Sequence, residues 1–324
     1  MVSPSHTGFL FLALLFIVVP AEASDLSLGS PVSCDIGKTC WIQQYADHDG
    51  GPGARDYACG NETYDGHDGT DFRVLDTLHT APVIASAPGI VKAVRDGVPD
   101  HLAVTDEDRR AVANIECGNG VLIDHGAGWQ TQYCHLKRGS VVVRPGDQVR
   151  RGEKLGAIGY SGLAAFPHVH LTVRKDGKSV DPFHPSAERD CGIGGPELWA
   201  PETAAAFAYV RGNVLRLGFA PGPLTLDSLV AGEISDTGAP KPGWPALVAY
   251  VWVINLEQGD EVIVALEGPS GSHAENRDVL PRSKAQYLLF AGVPKPMPGT
   301  YRASFRIIRS GQTYLERSWI GVVN

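Results

Sequence analysis

The chain has 324 residues, enough for two domains once an export segment is set aside. A formal net charge of −8 excludes nucleic-acid binding driven by charge and offers no pull towards an anionic surface. With 38 Gly and 23 Pro and no long stretch of helical periodicity, the chain is not a helical bundle. It reads as a mostly β protein of short strands and tight turns.

Phe9 to Val19 is an unbroken apolar run, too short for a bilayer-spanning helix, which needs about 20 such residues. Pro20 and the small-x-small triplet Ala21-Glu22-Ala23 follow. Residues 1–23 therefore read as a secretory signal peptide, although the segment before the run carries no Lys or Arg. No later stretch is apolar enough to span a membrane, so the expectation is an exported chain with no span after cleavage. Six cysteines, an even number outside the cytosol, are expected to pair: Cys34, Cys40, Cys59, Cys117, Cys134 and Cys191. Cys34 and Cys40 are close enough for a local bridge, but spacing alone leaves the pairing open. Cys117 and Cys134 flank a hairpin whose turn near Ala127 sets Cys134 opposite Gly120, so that pair needs a bend. Residues 24–63 read as a cysteine-containing region packed on the domain that follows.

The next stretch, Asp65 to Val74, runs from a glycine-rich turn into a strand over Thr70 to Leu75. It carries His67 and Asp71, both of ligand types that zinc accepts. A polar segment follows over residues 95–116. Then come a hairpin over Val121 to Leu136, ending in Tyr133-Cys134-His135, and a second over Val141 to Gly159. Phe166 to Val173 has strand composition, with apolar and β-branched residues at period two. His168, His170 and Thr172 share one face; Val169, Leu171 and Val173 share the other. Two imidazoles one strand step apart can converge on one ion or one substrate atom, though the pattern alone also describes two exposed histidines. With His67 and Asp71, His170 completes a His, Asp, His set that leaves a fourth position open for water, as catalytic zinc sites do. Cys134 should face away from His135 along its strand and is not read as a nucleophile. His125, beside a turn, is assigned a structural role. His48, His79, His101, His184 and His273 have no partner pattern.

Composition changes at Cys191 to Pro196, placing a boundary between domains at residues 64–192 and 200–324. Glu197 to Tyr209 is the best helix candidate. Beyond it, apolar runs alternate with turns: Val214 to Phe219, Ala249 to Asn255, Glu261 to Leu266, Gln286 to Phe290, Tyr301 to Ile308 and Arg317 to Val323. About seven strands with turns between them predict an antiparallel β-sandwich. Its ending, from Pro298 through Tyr301 to Arg309, resembles the last hairpin of immunoglobulin-like modules. It carries no catalytic cluster, and a protein partner is the role left open for it.

Several pieces between residues 64 and 183 occur together in a fixed order: His67-x-x-x-Asp71, Ala87-Pro88-Gly89-Ile90-Val91, Gly118-Asn119-Gly120, Ile123-Asp124-His125-Gly126, Tyr133-Cys134-His135-Leu136, Gly146-Asp147 leading to Leu155-Gly156, and Pro167-His168-x-His170. In this order and spacing the chain resembles the LytM/lysostaphin-type (M23) zinc metalloendopeptidases that cut peptide cross-links in peptidoglycan. The resemblance implies a duplicated-hybrid-motif β-sheet catalytic domain. It implies one Zn²⁺ held by His67, Asp71 and His170, with His135 and His168 as catalytic histidines beside it, and peptidoglycan stem peptides as substrate. Some members of the family keep the fold without the ligands and activate other wall hydrolases, so a non-catalytic regulator is the alternative. The acidic balance favours a periplasmic remodelling enzyme over a fully secreted one. Two stretches depart from the family pattern: residues 95–116, longer than usual, and the region from Ser33 to Cys59.

Overall fold

The computed structural model describes residues 26–185, 190–234 and 239–324; the expected signal peptide at 1–23 lies outside them. The first half contains β1 (Trp41–Gln44), β2 (Thr70–Arg73), β3 (Pro82–Ile84), β4 (Gly89–Arg95), α1 (Asp106–Ala111), β5 (Asn119–Gly126), β6 (Trp129–Leu136), β7 (Gln148–Val149), β8 (Lys154–Ala157), β9 (His168–Lys175) and β10 (Lys178–Val180). One sheet runs in the order β1-β2-β9-β6-β5-β4-β7 with β10 added to β9, and β3 pairs with β8. The period-two pattern of β9 is obeyed: Val169, Leu171 and Val173 are fully buried in a core shared with Phe72, Tyr133 and Ile123. Each such side chain contributes about 1.5–3 kcal/mol by leaving water. The opposite face carries the polar residues.

Three disulfides use all six cysteines: Cys34–Cys40, Cys59–Cys191 and Cys117–Cys134. The bend that the third bridge needs comes from two left-handed residues. Gly118 (φ +61°) turns Cys117 back towards β6, and His135 (φ +62°) sits at a register shift between β5 and β6. This corrects the strict alternation expected on β6. Cys134 is paired with His170 and so shares its face, while His135, one residue on, also reaches that face. The polar segment 95–116 contains α1, closed by a Thr105–Asp108 capping box.

The second half contains α2 (Pro201–Ala206), β11 (Asn213–Ala220), α3 (Leu226–Val230), β12 (Ala246–Leu256), β13 (Glu261–Glu267), a 3₁₀ turn (Pro269–Gly271), β14 (His273–Val279), β15 (Lys284–Pro294), β16 (Gly299–Arg309) and β17 (Gln312–Val323). Sheets β11-β12-β15 and β14-β13-β16-β17 close over a core of Val251, Val253, Val264, Phe305 and neighbours. Strand β14 has no apolar run and is charged and exposed, which is why composition alone misses it. The helix expected over 197–209 is shorter and spans Pro201–Ala206. Trp199, Phe207 and Tyr209 pack against Phe72, Phe183 and Tyr45 in the first core, so the sandwich begins near Gly212.

The sheet β11-β12-β15 does not face solvent with its outer side. Tyr250, Trp252 and Ile254 of β12 form a third cluster with Trp41 and Phe166 of the first domain. Asn255 donates to Glu62 (2.9 Å) and Arg216 pairs with Asp76 (3.7 Å) across the same junction.

Candidate metal centre

Strands β2, β9 and β6 lie side by side, and their registers bring the polar residues together. Asp71 is opposite His170, and Arg73 is opposite His168. His67 arrives from the turn before β2. Its approach depends on Gly69, where a Cβ would lie 2.6 Å from His170 Nε2 and 2.5 Å from the Leu171 carbonyl oxygen.

Three donor atoms converge. His67 Nε2 is 3.2 Å from Asp71 Oδ1 and 3.1 Å from His170 Nδ1, and the latter two are 2.9 Å apart. A tetrahedral zinc with ligand bonds near 2.0–2.1 Å sets its donors about 3.3 Å apart, so the triangle has the right size. The far ends of the rings fix the tautomers. His67 Nδ1 donates to the Tyr45 carbonyl (2.6 Å), and His170 Nε2 is bonded to Asp68 Oδ1 (3.2 Å) and Thr172 Oγ1 (3.0 Å). Each ring then turns a lone pair inwards, beside an anionic oxygen. Three such acceptors at this spacing repel unless a cation or a proton sits among them. Among the described residues this is the cluster of His, Asp, Glu or Cys donors that could hold a metal ion.

Protonation follows the same logic. Burial opposes the charged form of His170, but the carboxylates of Asp68 and Asp71 override it and push its pKa up to about 9. Burial also opposes ionisation of Asp71; the imidazoles of His67 and His168, with hydrogen bonds from His170 and His67, hold its carboxyl well below the usual range.

His135 and His168 stand beside the triangle, ring centroids 4.6 Å apart. His168 Nδ1 donates to the Phe166 carbonyl and His135 Nδ1 to the Ser161 carbonyl, both at 2.8 Å. Each therefore leaves Nε2 free as a base, and His168 Nε2 lies 3.5 Å from Asp71 Oδ1. Burial, reinforced by the neighbouring imidazoles, keeps His135 well below the ordinary imidazole value; burial lowers His168 in spite of Asp71. Both are neutral at neutral pH. The left-handed backbone of His135 is local strain held by the surrounding sheet.

All five sequence-predicted residues, His67, Asp71, His135, His168 and His170, thus come together. Other histidines bond within the fold. His125 bonds the Pro88 carbonyl and Thr131. His48, His79, His101 and His184, which show no partner pattern in the sequence, pair with Asp181, Asp76, Asp108 and Asp190, and of these pairs only His48–Asp181 joins distant segments. Sequence reasoning missed Asp68, though it stands inside the His67–Asp71 motif. It also missed the carbonyls of Tyr45, Ser161 and Phe166, for which no side-chain signal exists. The region before Cys59 is part of the site: Tyr45 orients His67, and Asp47 to Gly51 form one wall of a cleft of about 1020 Å³ that opens beside His67 and Asp68.

Residues 65–182 match the profile of Peptidase family M23. The chain is 30% identical over 115 residues to the peptidoglycan DD-endopeptidase ShyA of Vibrio cholerae serotype O1, covering 36% of this chain and 22% of that protein. It is 35% identical over 106 residues to the DD-carboxypeptidase/endopeptidase Mpg of Neisseria meningitidis serogroup B, covering 32% and 22%. The chain thus spans about a fifth of the length of these curated relatives. A solved structure of a mutant catalytic domain of the prophage-encoded M23 protein EnpA from Enterococcus faecalis is similar, at 28% identity and a TM-score of 0.29, covering 43% of this chain and 95% of that one.

Proposed function

With residues 65–182 forming a domain of peptidase family M23, we propose that the protein is an exported zinc metalloendopeptidase that hydrolyses peptide cross-links of peptidoglycan. The observation that carries this reading is the triangle of His67, Asp71 and His170 donors with the His135 and His168 rings beside it. The peptidoglycan-directed names of ShyA and Mpg support the substrate class.

His67, Asp71 and His170 would hold the zinc, which would supply a water of lowered pKa, about 7, and polarisation of the scissile carbonyl. The remaining steps belong to this chain. His168, its Nδ1 hydrogen committed to Phe166, takes a proton from the attacking water at Nε2. The same ring then delivers that proton to the leaving amine. His135, its Nδ1 hydrogen committed to Ser161, is kept neutral by burial and accepts a hydrogen bond at Nε2, which orients the attacking water. The acidic balance suits a periplasmic enzyme working on its own wall, which cell fractionation checks.

The test is release of soluble muropeptides from purified sacculi by the mature protein, with chelator and with zinc restored. Release that chelator abolishes and zinc restores is the expected result. Full activity in metal-free protein overturns the zinc mechanism. No release, together with no stoichiometric zinc, identifies instead a non-catalytic regulator or binding module.

A further inference from the structure

Arg73 links the sandwich to the candidate site. Arg73 lies two residues beyond Asp71 on β2 and directly opposite His168, so it rises on the same face as both. It is fully buried. Its guanidinium donates to the carbonyls of Val74 and Leu75 and to Gln43, all in the first domain, and to Gln286 (3.0 Å) of β15 in the sandwich. Its Cζ lies 4.9 Å from the Phe166 ring centroid and 4.9 Å from that of Trp252 on β12. Phe166 in turn stacks on His168, centroids 4.5 Å apart at 30°. Contacts therefore run without a break from Trp252 through Arg73 and Phe166 to His168, and on to His135.

A buried guanidinium needs partners on every side. Arg73 has four neutral acceptors and two aromatic faces, and of these Gln286 and Trp252 come from the sandwich. Burial lowers its pKa to about 9, with only the charge of Asp76 opposing. Remove the sandwich side and the charge regains water by moving, which uncovers Phe166. The Phe166 ring supports the face of His168, and its carbonyl fixes the His168 tautomer. The metal triangle is held differently, by Tyr45, Asp68 and Thr172, none of them in this chain of contacts.

We infer that the C-terminal sandwich is a fixed wall of the catalytic domain that holds His168 in place through Trp252, Arg73 and Phe166, which are positioning residues. This rests on the reading of His168 as the acid/base group.

The experiment compares Trp252→Leu, Trp252→Phe and Gln286→Ala in the full mature chain. Metal affinity is read by competition with a chromophoric chelator, and kcat and KM on a cross-linked muropeptide. Trp252→Leu is expected to lower kcat about tenfold with KM and metal affinity changed less than about twofold. Trp252→Phe, which restores an aromatic face, recovers kcat to within about threefold. Gln286→Ala, which removes a single hydrogen bond and is not expected to affect folding, lowers kcat about threefold. Metal-binding Trp252→Leu protein with unchanged kcat overturns the inference; should that variant not fold, unchanged kcat in Gln286→Ala does so. If the wild-type protein hydrolyses nothing, the functional reading fails separately. The ring-proton resonances of His168 in zinc-loaded protein, assigned with His168→Gln, then decide: displacement by Gln286→Ala supports the coupling and identical spectra overturn it.

Discussion

On the large sheet, the face away from the core holds Asp71, Arg73, His135, His168 and Thr172, all buried and all bonded, with His67 beside them. In the sandwich beyond residue 210, the buried polar residues among those described are Asn255 and Asp260; Asn255 bonds Glu62, and Asp260 bonds Arg309 and the Glu257 backbone N–H. Burying a polar group costs free energy unless its bonds are replaced. The sandwich core keeps that cost low with Val, Leu, Ile and Phe side chains. The large sheet accepts it repeatedly within one patch, and three donors there point at one another. A fold that needed only stability would not gather acceptors in this way, so the contrast marks the large sheet as the seat of chemistry and the sandwich as support.

The sharpest way to break this contrast lies within the patch. His170→Ala is expected to lose both bound zinc and hydrolysis, whereas His168→Ala keeps zinc near one equivalent and loses about 10²–10⁴ in kcat. Metal analysis alongside muropeptide release checks the pair, and equal zinc loss in both would erase the distinction between ligand and base. In the sandwich the effect should appear in stability. Phe305 is fully buried there, so Phe305→Ala is expected to cost about 3–5 kcal/mol in urea unfolding while the folded protein still binds one zinc. A smaller effect belongs to Asp68, the carboxylate on the outer nitrogen of His170. Asp68→Asn is expected to weaken zinc binding about 10–100-fold, measured by chelator competition.

A further expected effect is in pH. In the metal-free protein His170 keeps its proton up to about 9, and the metal must displace it. Zinc affinity therefore rises with pH towards that value, by roughly tenfold per unit, as titrations between pH 6 and 9 can read. The same raised pKa stabilises the metal-free fold below the ordinary imidazole value, and that gain is lost as pH rises through about 9. Affinity independent of pH in this window would remove His170 from the ligand set.

Much of this was legible in residues 64–183. Period-two alternation set which face of β9 carries His168 and His170, and the spacing of His67 and Asp71 put both near the start of one strand. Alternation is a local property of the backbone, so sequence carries it. It failed at His135, where one left-handed residue turns the ring to the face that Cys134 already occupies; no residue type announced that conformation. The groups that orient the site were hidden for a related reason. Every residue has a carbonyl, so nothing in the sequence distinguishes those of Tyr45, Ser161 and Phe166. Arg73 read as an ordinary strand residue. Its burial depends on Gln286 and Trp252, about 200 positions further along, and such contacts exist only once the two domains close on each other. By itself the sequence determined the mostly β class and the face of β9 that carries His168 and His170, because strand period is a property of short segments. Only the tertiary structure decided the disulfide pairing, the domain boundary near Gly212, and the junction that joins the sandwich to His168, because these depend on which distant surfaces exclude water together.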